Sequence, residues 1–190
     1  RYSSVTGVQT CALPIYGLCA IAALTAQHTR GVSAVHVPPV EFLRAQIDAC
    51  FDDFRIGAVK LGMLANAAVI HAVADALETY RPRHVVLDPV MVATSGAKLL
   101  EDDALDALRT RLLPLASIVT PNIPEAEILY GQPIRNANDM HFCAIAMRHS
   151  LAQAALIKGG HLQTGSEVLD VFCDEDGTQA ITHQRLDLEA

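Results

Sequence analysis

The chain has 190 residues, of which 51% are hydrophobic and 18% charged, and its 14 basic against 21 acidic residues give a formal net charge of −7. That composition supports one domain with a real core and excludes a disordered chain. It also argues against nucleic acid as a partner: counterion release needs clustered cations, and the densest basic run is only Arg81-Pro82-Arg83-His84.

The longest apolar run, Gly17 to Leu24, is far short of the ~20 residues that cross a bilayer, and no basic patch with a long apolar stretch opens the chain. Neither a membrane nor secretion is therefore expected. The five cysteines are odd in number and form no C-x-x-C, which favours reduced thiols in a cytoplasmic protein. The eight histidines show no H-E-x-x-H spacing, which argues against zinc.

In chain order, EFLRAQIDACFDDF (41–54) places Leu43, Ile47, Cys50, Phe51 and Phe54 on one helical face. IGAVKLGML (56–64) reads as a strand. AAVIHAVADALETY (67–80) puts Val69, Ile70, Val73, Leu77 and Tyr80 on a second helical face. A strand over 84–88 runs into Asp88 and Pro89. EDDALDALRTRLL (101–113) carries acids in its first turn and arginines in its last, matching the helix dipole, with Leu105, Leu108 and Leu112 inward.

A strand over 117–119 leads into Thr120-Pro121-Asn122, with Pro124 placed to open a helix and Gly131 to close it. Residues 138–152 form another amphipathic helix. A strand over 154–157 ends in Lys158-Gly159-Gly160, and the tail reads as two strands around an Asp-Glu-Asp-Gly turn. Strands alternating with helices from about residue 41 to 158 predict a parallel sheet covered on both faces, in one domain.

In such a sheet ligands bind outside the strand C-termini. Three ends carry chemistry: Asp88-Pro89, Thr120-Pro121-Asn122 with Glu125, and Lys158-Gly159-Gly160-His161. A cation, exposed backbone amides and several carboxylates suit a nucleoside triphosphate with Mg²⁺. Each motif also has a plain reading: Asp88 as a cap or strand terminator, Asn122 as a helix cap, and Lys158-Gly159-Gly160 as an ordinary turn. Neither a Walker A pattern nor G-x-G-x-x-G is present.

Taken together, TAQHTRGV (25–32), VKLGML (59–64), VVLDPVMVATSGAKLL (85–100), IVTPNIPEAEIL (118–129) and LIKGGH (156–161) occur in an order that resembles the hydroxymethylpyrimidine and phosphomethylpyrimidine kinases of thiamine biosynthesis. The resemblance covers about residues 16–185. It implies a ribokinase-like three-layer α/β/α fold with a mainly parallel central sheet, incomplete here, and ATP-dependent phosphorylation of a hydroxymethylpyrimidine, its monophosphate or both. By the same resemblance Gln27, Met63 and Val90 would contact the pyrimidine. Asp88, Asn122, Lys158 and Gly160 would serve ATP, and Asn122 with Glu125 would order Mg²⁺ and its waters. Thr94-Ser95-Gly96 would form a mobile cover, and the intact parent would be a homodimer.

Two departures from the family stand out. Residues 1–15 lack its Gly-rich opening and read as a foreign or divergent segment ahead of a partial kinase domain at 16–190. The family's G-T-G-C motif is absent, so no catalytic residue is assigned, and a weak or inactive chain with exposed apolar sheet surface is expected. Alternatives are a pyridoxal kinase-like vitamin kinase and a non-catalytic pyrimidine-binding module.

Overall fold

The computed structural model describes residues 16–28, 31–91, 100, 103–162 and 166–185. Four short apolar segments, β3 (Ala58–Leu61), β4 (His84–Leu87), β5 (Ile118–Val119) and β6 (Ala154–Ile157), pair in parallel and in that spatial order. Two longer strands, β7 (Glu167–Asp174) and β8 (Gly177–Gln184), extend the sheet antiparallel. The result is a six-stranded, mainly parallel sheet in an α/β fold.

Register places Leu61, Leu87, Val119, Ala155 and Cys173 in one row across five strands, each at most 8% exposed. Alternation puts Val86, Ile118, Leu156 and Phe172 on the other face, where they are only half-buried. The reason lies in the topology. Parallel crossovers are right-handed, and a strand order that advances steadily from β3 to β6 puts all its connecting helices on one side. The expectation of a sheet covered on both faces is thus met on one face among the described residues; on the other the apolar side chains are half-buried rather than exposed.

The helices follow their apolar stripes. In α2 (Ala67–Tyr80), Val69, Ile70, Val73 and Leu77 are buried, and Asn66 caps the helix by accepting the Val69 N–H at 3.0 Å. The rest of its predicted face, Tyr80, instead stacks on Phe51 at 4.3 Å between ring centroids and donates its hydroxyl to Asp48. In α1 (Val40–Asp53) only Leu43 is fully buried, while Ile47, Cys50 and Phe51 are half-buried and Phe54 lies beyond the helix end. The helices α4 (Ile123–Tyr130) and α5 (Ala137–Ser150) end within two residues of expectation. Gly131 closes α4 in the left-handed conformation that glycine tolerates best, φ 78°.

Two segments differ from expectation. Residues 101–113 do not make one regular helix: a single α turn, α3 (Ala104–Ala107), widens into a π turn over Leu108–Leu112 and tightens into a 3₁₀ turn over Leu113–Leu115. Pro114 has no N–H to continue an α ladder, and the change of pitch lets the consecutive Leu112 and Leu113 both be fully buried. The second segment, for which the sequence signals no element, is an antiparallel ribbon of β1 (Leu24–His28) and β2 (Gly31–His36) with an irregularity at Ala26/Gln27. Every residue of β1 is exposed, so no apolar alternation marks it.

β7 passes so close to the chain leaving β6 that a Cβ on Gly159 would sit 1.8 Å from the Leu169 carbonyl oxygen. The obstacle is backbone, not a flexible side chain. Gly159→Ala should therefore cost about 1–3 kcal/mol, read as a lower urea midpoint with an unchanged slope; a wild-type midpoint would contradict this packing.

Candidate functional site

Backbone pairing continues one step past each central strand. The Asp88 N–H donates to Leu61 O (3.0 Å), Thr120 N–H to Leu87 O (2.9 Å) and Lys158 N–H to Pro121 O (2.9 Å). These bonds bring the three chemically marked strand ends to one edge of the sheet. Pro89, itself buried, then removes the next donor and lets the chain leave.

Asp88 is the hub of that edge. Its Oδ1 accepts from Lys158 Nζ at 2.8 Å, and its Oδ2 lies 3.8 Å from Lys60 Nζ. The side chains are 21% (Asp88), 39% (Lys158) and 55% (Lys60) exposed, so the trio is open to solvent and to ligands. Lys60 was missed among the sequence candidates: alternation sets it opposite buried Leu61, and the β3–β4 register puts it on Asp88's face.

Asn122 and Glu125 form a reciprocal capping box at the start of α4. Asn122 Oδ1 accepts the Glu125 N–H (3.0 Å), and Glu125 Oε2 accepts the Asn122 N–H (2.9 Å). Glu125 does more than cap. Its Oε1 accepts the Met91 N–H at 3.3 Å, which ties the segment after Pro89 to α4. Glu125 is 3% exposed, the only buried charged or polar side chain among the described residues. Burial pushes its carboxyl pKa up from the ordinary value, against the pull of the two backbone N–H groups and the Lys158 charge.

The structure brings Asp88, Asn122, Glu125 and Lys158 together. Gly160 is exposed, and its carbonyl accepts from Arg185 Nη1 at 3.2 Å. The neighbouring Gly159 N–H is spent on Asp170 Oδ1 at 2.8 Å, so it is not presented to a ligand. Val90 lines a narrow apolar cleft with Gly62, Leu64, Leu87, Pro89, Leu100 and Leu108. Met63 is half-buried between β3 and the α2 cap. Gln27 stands apart on the β1–β2 ribbon. Thr94-Ser95-Gly96 lies outside the described residues.

As a cation site, the edge offers hard oxygen donors but few of them. No group of three or more His, Cys, Asp or Glu side chains converges among the described residues. Such a set suits Mg²⁺, which is commonly held by one or two carboxylates with phosphate oxygens and water completing its shell.

A model of the phosphomethylpyrimidine kinase family matches residues 8–190. The hydroxymethylpyrimidine/phosphomethylpyrimidine kinase of Rhizobium meliloti is 48% identical over 166 residues, covering 87% of this chain and 62% of that protein. The crystal structure of phosphomethylpyrimidine kinase from Clostridium difficile superposes with a TM-score of 0.80 at 37% identity, covering 88% of this chain and 71% of that one. An ADP complex of Bacillus subtilis pyridoxal kinase gives 0.79 at 27% identity, covering 92% and 65%. The chain thus spans less than two thirds of the length of the Rhizobium relative.

Glu125 has a pH signature. An acid whose folded-state pKa is raised adds stability that is fully present below its unfolded value, about 4.5, and lost as pH rises through the folded value. Without added divalent cation, the stability of wild type minus that of Glu125→Gln should fall as pH is raised from 4.5 to 7 in urea titrations. A difference that grows with pH would contradict the burial-dominated shift.

Proposed function

The chain belongs to the phosphomethylpyrimidine kinase family, and on that premise we propose that it carries the ligand sites of an ATP-dependent kinase of thiamine biosynthesis. The acceptor is 4-amino-5-hydroxymethyl-2-methylpyrimidine, its monophosphate or both. The observation that supports this most directly is the half-exposed Lys158–Asp88 pair, 2.8 Å long, at the C-terminal edge of the parallel strands.

Phosphoryl transfer asks the protein mainly for positioning and charge neutralisation. Lys158 is the phosphate-facing cation: Asp88 holds its ammonium in place, and incoming phosphate oxygens accept its remaining N–H bonds. Asp88, the accessible carboxylate, would hold Mg²⁺, which would supply neutralisation of phosphate charge. Asn122 and Glu125 are committed to the cap, so they would meet the ion through water. Glu125 also fixes the Met91 amide, beside Val90, the residue that the family resemblance sets against the pyrimidine. Gln27 would contact the pyrimidine by family resemblance alone, since it stands apart on the β1–β2 ribbon.

The β1–β2 ribbon also supports the homodimer reading. Leu24 and Val35 are 47% and 44% exposed on a ribbon with little cover of its own, which suits burial against a second copy. No described helix is long and apolar enough to cross a membrane.

Titration calorimetry with ATP and Mg²⁺ tests the nucleotide site. Lys158→Met should weaken ATP binding by about tenfold or more, the scale of one charge-assisted hydrogen bond, while leaving pyrimidine binding within about twofold. Unchanged ATP affinity would remove Lys158 from the site. In the same format hydroxymethylpyrimidine should bind more tightly than pyridoxal; the reverse order would favour a pyridoxal kinase.

A further inference from the structure

The antiparallel strands β7 and β8 lie beyond β6, and the turn that carries Lys158 and Gly160 leaves the sheet beside them. The β6–β7 register runs from Ala155 opposite Cys173 to Ile157 opposite Val171. One position further on, the Asp170 side chain takes the place of a main-chain partner: its Oδ1 accepts the Gly159 N–H at 2.8 Å. That N–H belongs to the peptide on the C-terminal side of Lys158. The peptide on the N-terminal side is held by the Lys158 N–H, which donates to Pro121 O at 2.9 Å. Both peptide planes flanking the Lys158 Cα are thus pinned, and together they set the direction in which its side chain leaves the backbone. That direction is toward Asp88, whose Oδ1 accepts from the ammonium at 2.8 Å.

The same hairpin closes the rest of the turn. Arg185, directly after β8, donates Nη1 to Gly160 O at 3.2 Å and Nη2 to Leu162 O at 2.8 Å. Its own N–H donates to Ser166 O at 2.8 Å. A rigid guanidinium fork on two carbonyls fixes their spacing as well as their position. Asp170 is the more telling of the two. By charge alone, a carboxylate one residue from a phosphate-facing lysine opposes anion binding. What it contributes here is geometry.

We propose that Asp170, together with Arg185, is a positioning residue for nucleotide binding: the β7–β8 hairpin holds the turn so that Lys158 is presented to the phosphates. This deepens the kinase reading above and rests on it. Charge and geometry predict opposite signs at Asp170, which makes the role measurable.

The test is titration calorimetry with ATP and Mg²⁺ and, separately, with hydroxymethylpyrimidine. Asp170→Ala removes both the charge and the acceptor; Asp170→Asn removes the charge and keeps an oxygen for the Gly159 N–H. Asp170→Ala should weaken ATP about fivefold or more, and Asp170→Asn should stay within about twofold of wild type, with pyrimidine affinity within about twofold in both. Arg185→Lys keeps the charge without the fork and should weaken ATP about threefold or more. Unchanged or tighter ATP binding by Asp170→Ala, an equal loss in Asp170→Asn, or equal losses for ATP and the pyrimidine would overturn the assignment and leave the kinase reading intact. Where urea titration shows Asp170→Ala to be unfolded, Arg185→Lys decides, and wild-type ATP affinity in that variant would overturn the assignment. A wild-type chain that binds no ATP would overturn both.

Discussion

Asp88 is the constraint on which the strand edge depends. An apolar strand delivers it, a bond from its own N–H to Leu61 O fixes it in the sheet, and Pro89 stops pairing immediately after it. With the backbone pinned, the carboxylate has one direction available, and two lysines from other strands converge on it. Lys158 belongs to a segment that is itself tied by its N–H to Pro121 O. Remove Asp88 and two like charges face each other across β4, each then free to swing into solvent.

Glu125 illustrates a different balance. Burying a carboxylate costs free energy unless hydrogen bonds replace its water. Here one oxygen is used for the Asn122 N–H and the other for the Met91 N–H, two donors that would otherwise lack partners at a helix start and a strand exit. The raised pKa says that desolvation still outweighs these bonds. What the arrangement provides is a tie between α4 and the segment after Pro89.

The sheet and most helices were legible in the sequence because each parallel strand is a short apolar run and α2, α4 and α5 have clear stripes or caps. Asn122 carried both its plain reading, a helix cap, and a place at the strand edge; the structure realises the cap, and makes it a reciprocal box with Glu125. What stayed hidden has physical causes. The β1–β2 ribbon is exposed on both faces, so burial writes no pattern into it. The π turn arises from packing two consecutive leucines and from a proline six residues beyond its start, which a 3.6-residue period does not register. Lys60 looked like one polar residue in a strand; only the sheet register showed that it shares a face with Asp88. Gly159 looked like half of a flexible Gly-Gly, whereas the close pass of β7 makes it a packing requirement.

The proposed nucleotide site depends on Asp88 holding Lys158 for phosphate binding. The most direct measurement is a double-mutant cycle on ATP affinity in the presence of Mg²⁺, using Asp88→Asn, Lys158→Met and the pair. Residues acting as one unit should be non-additive, with a coupling energy of about 1 kcal/mol or more. Additive losses, or none, would mean that the two side chains touch without sharing a function.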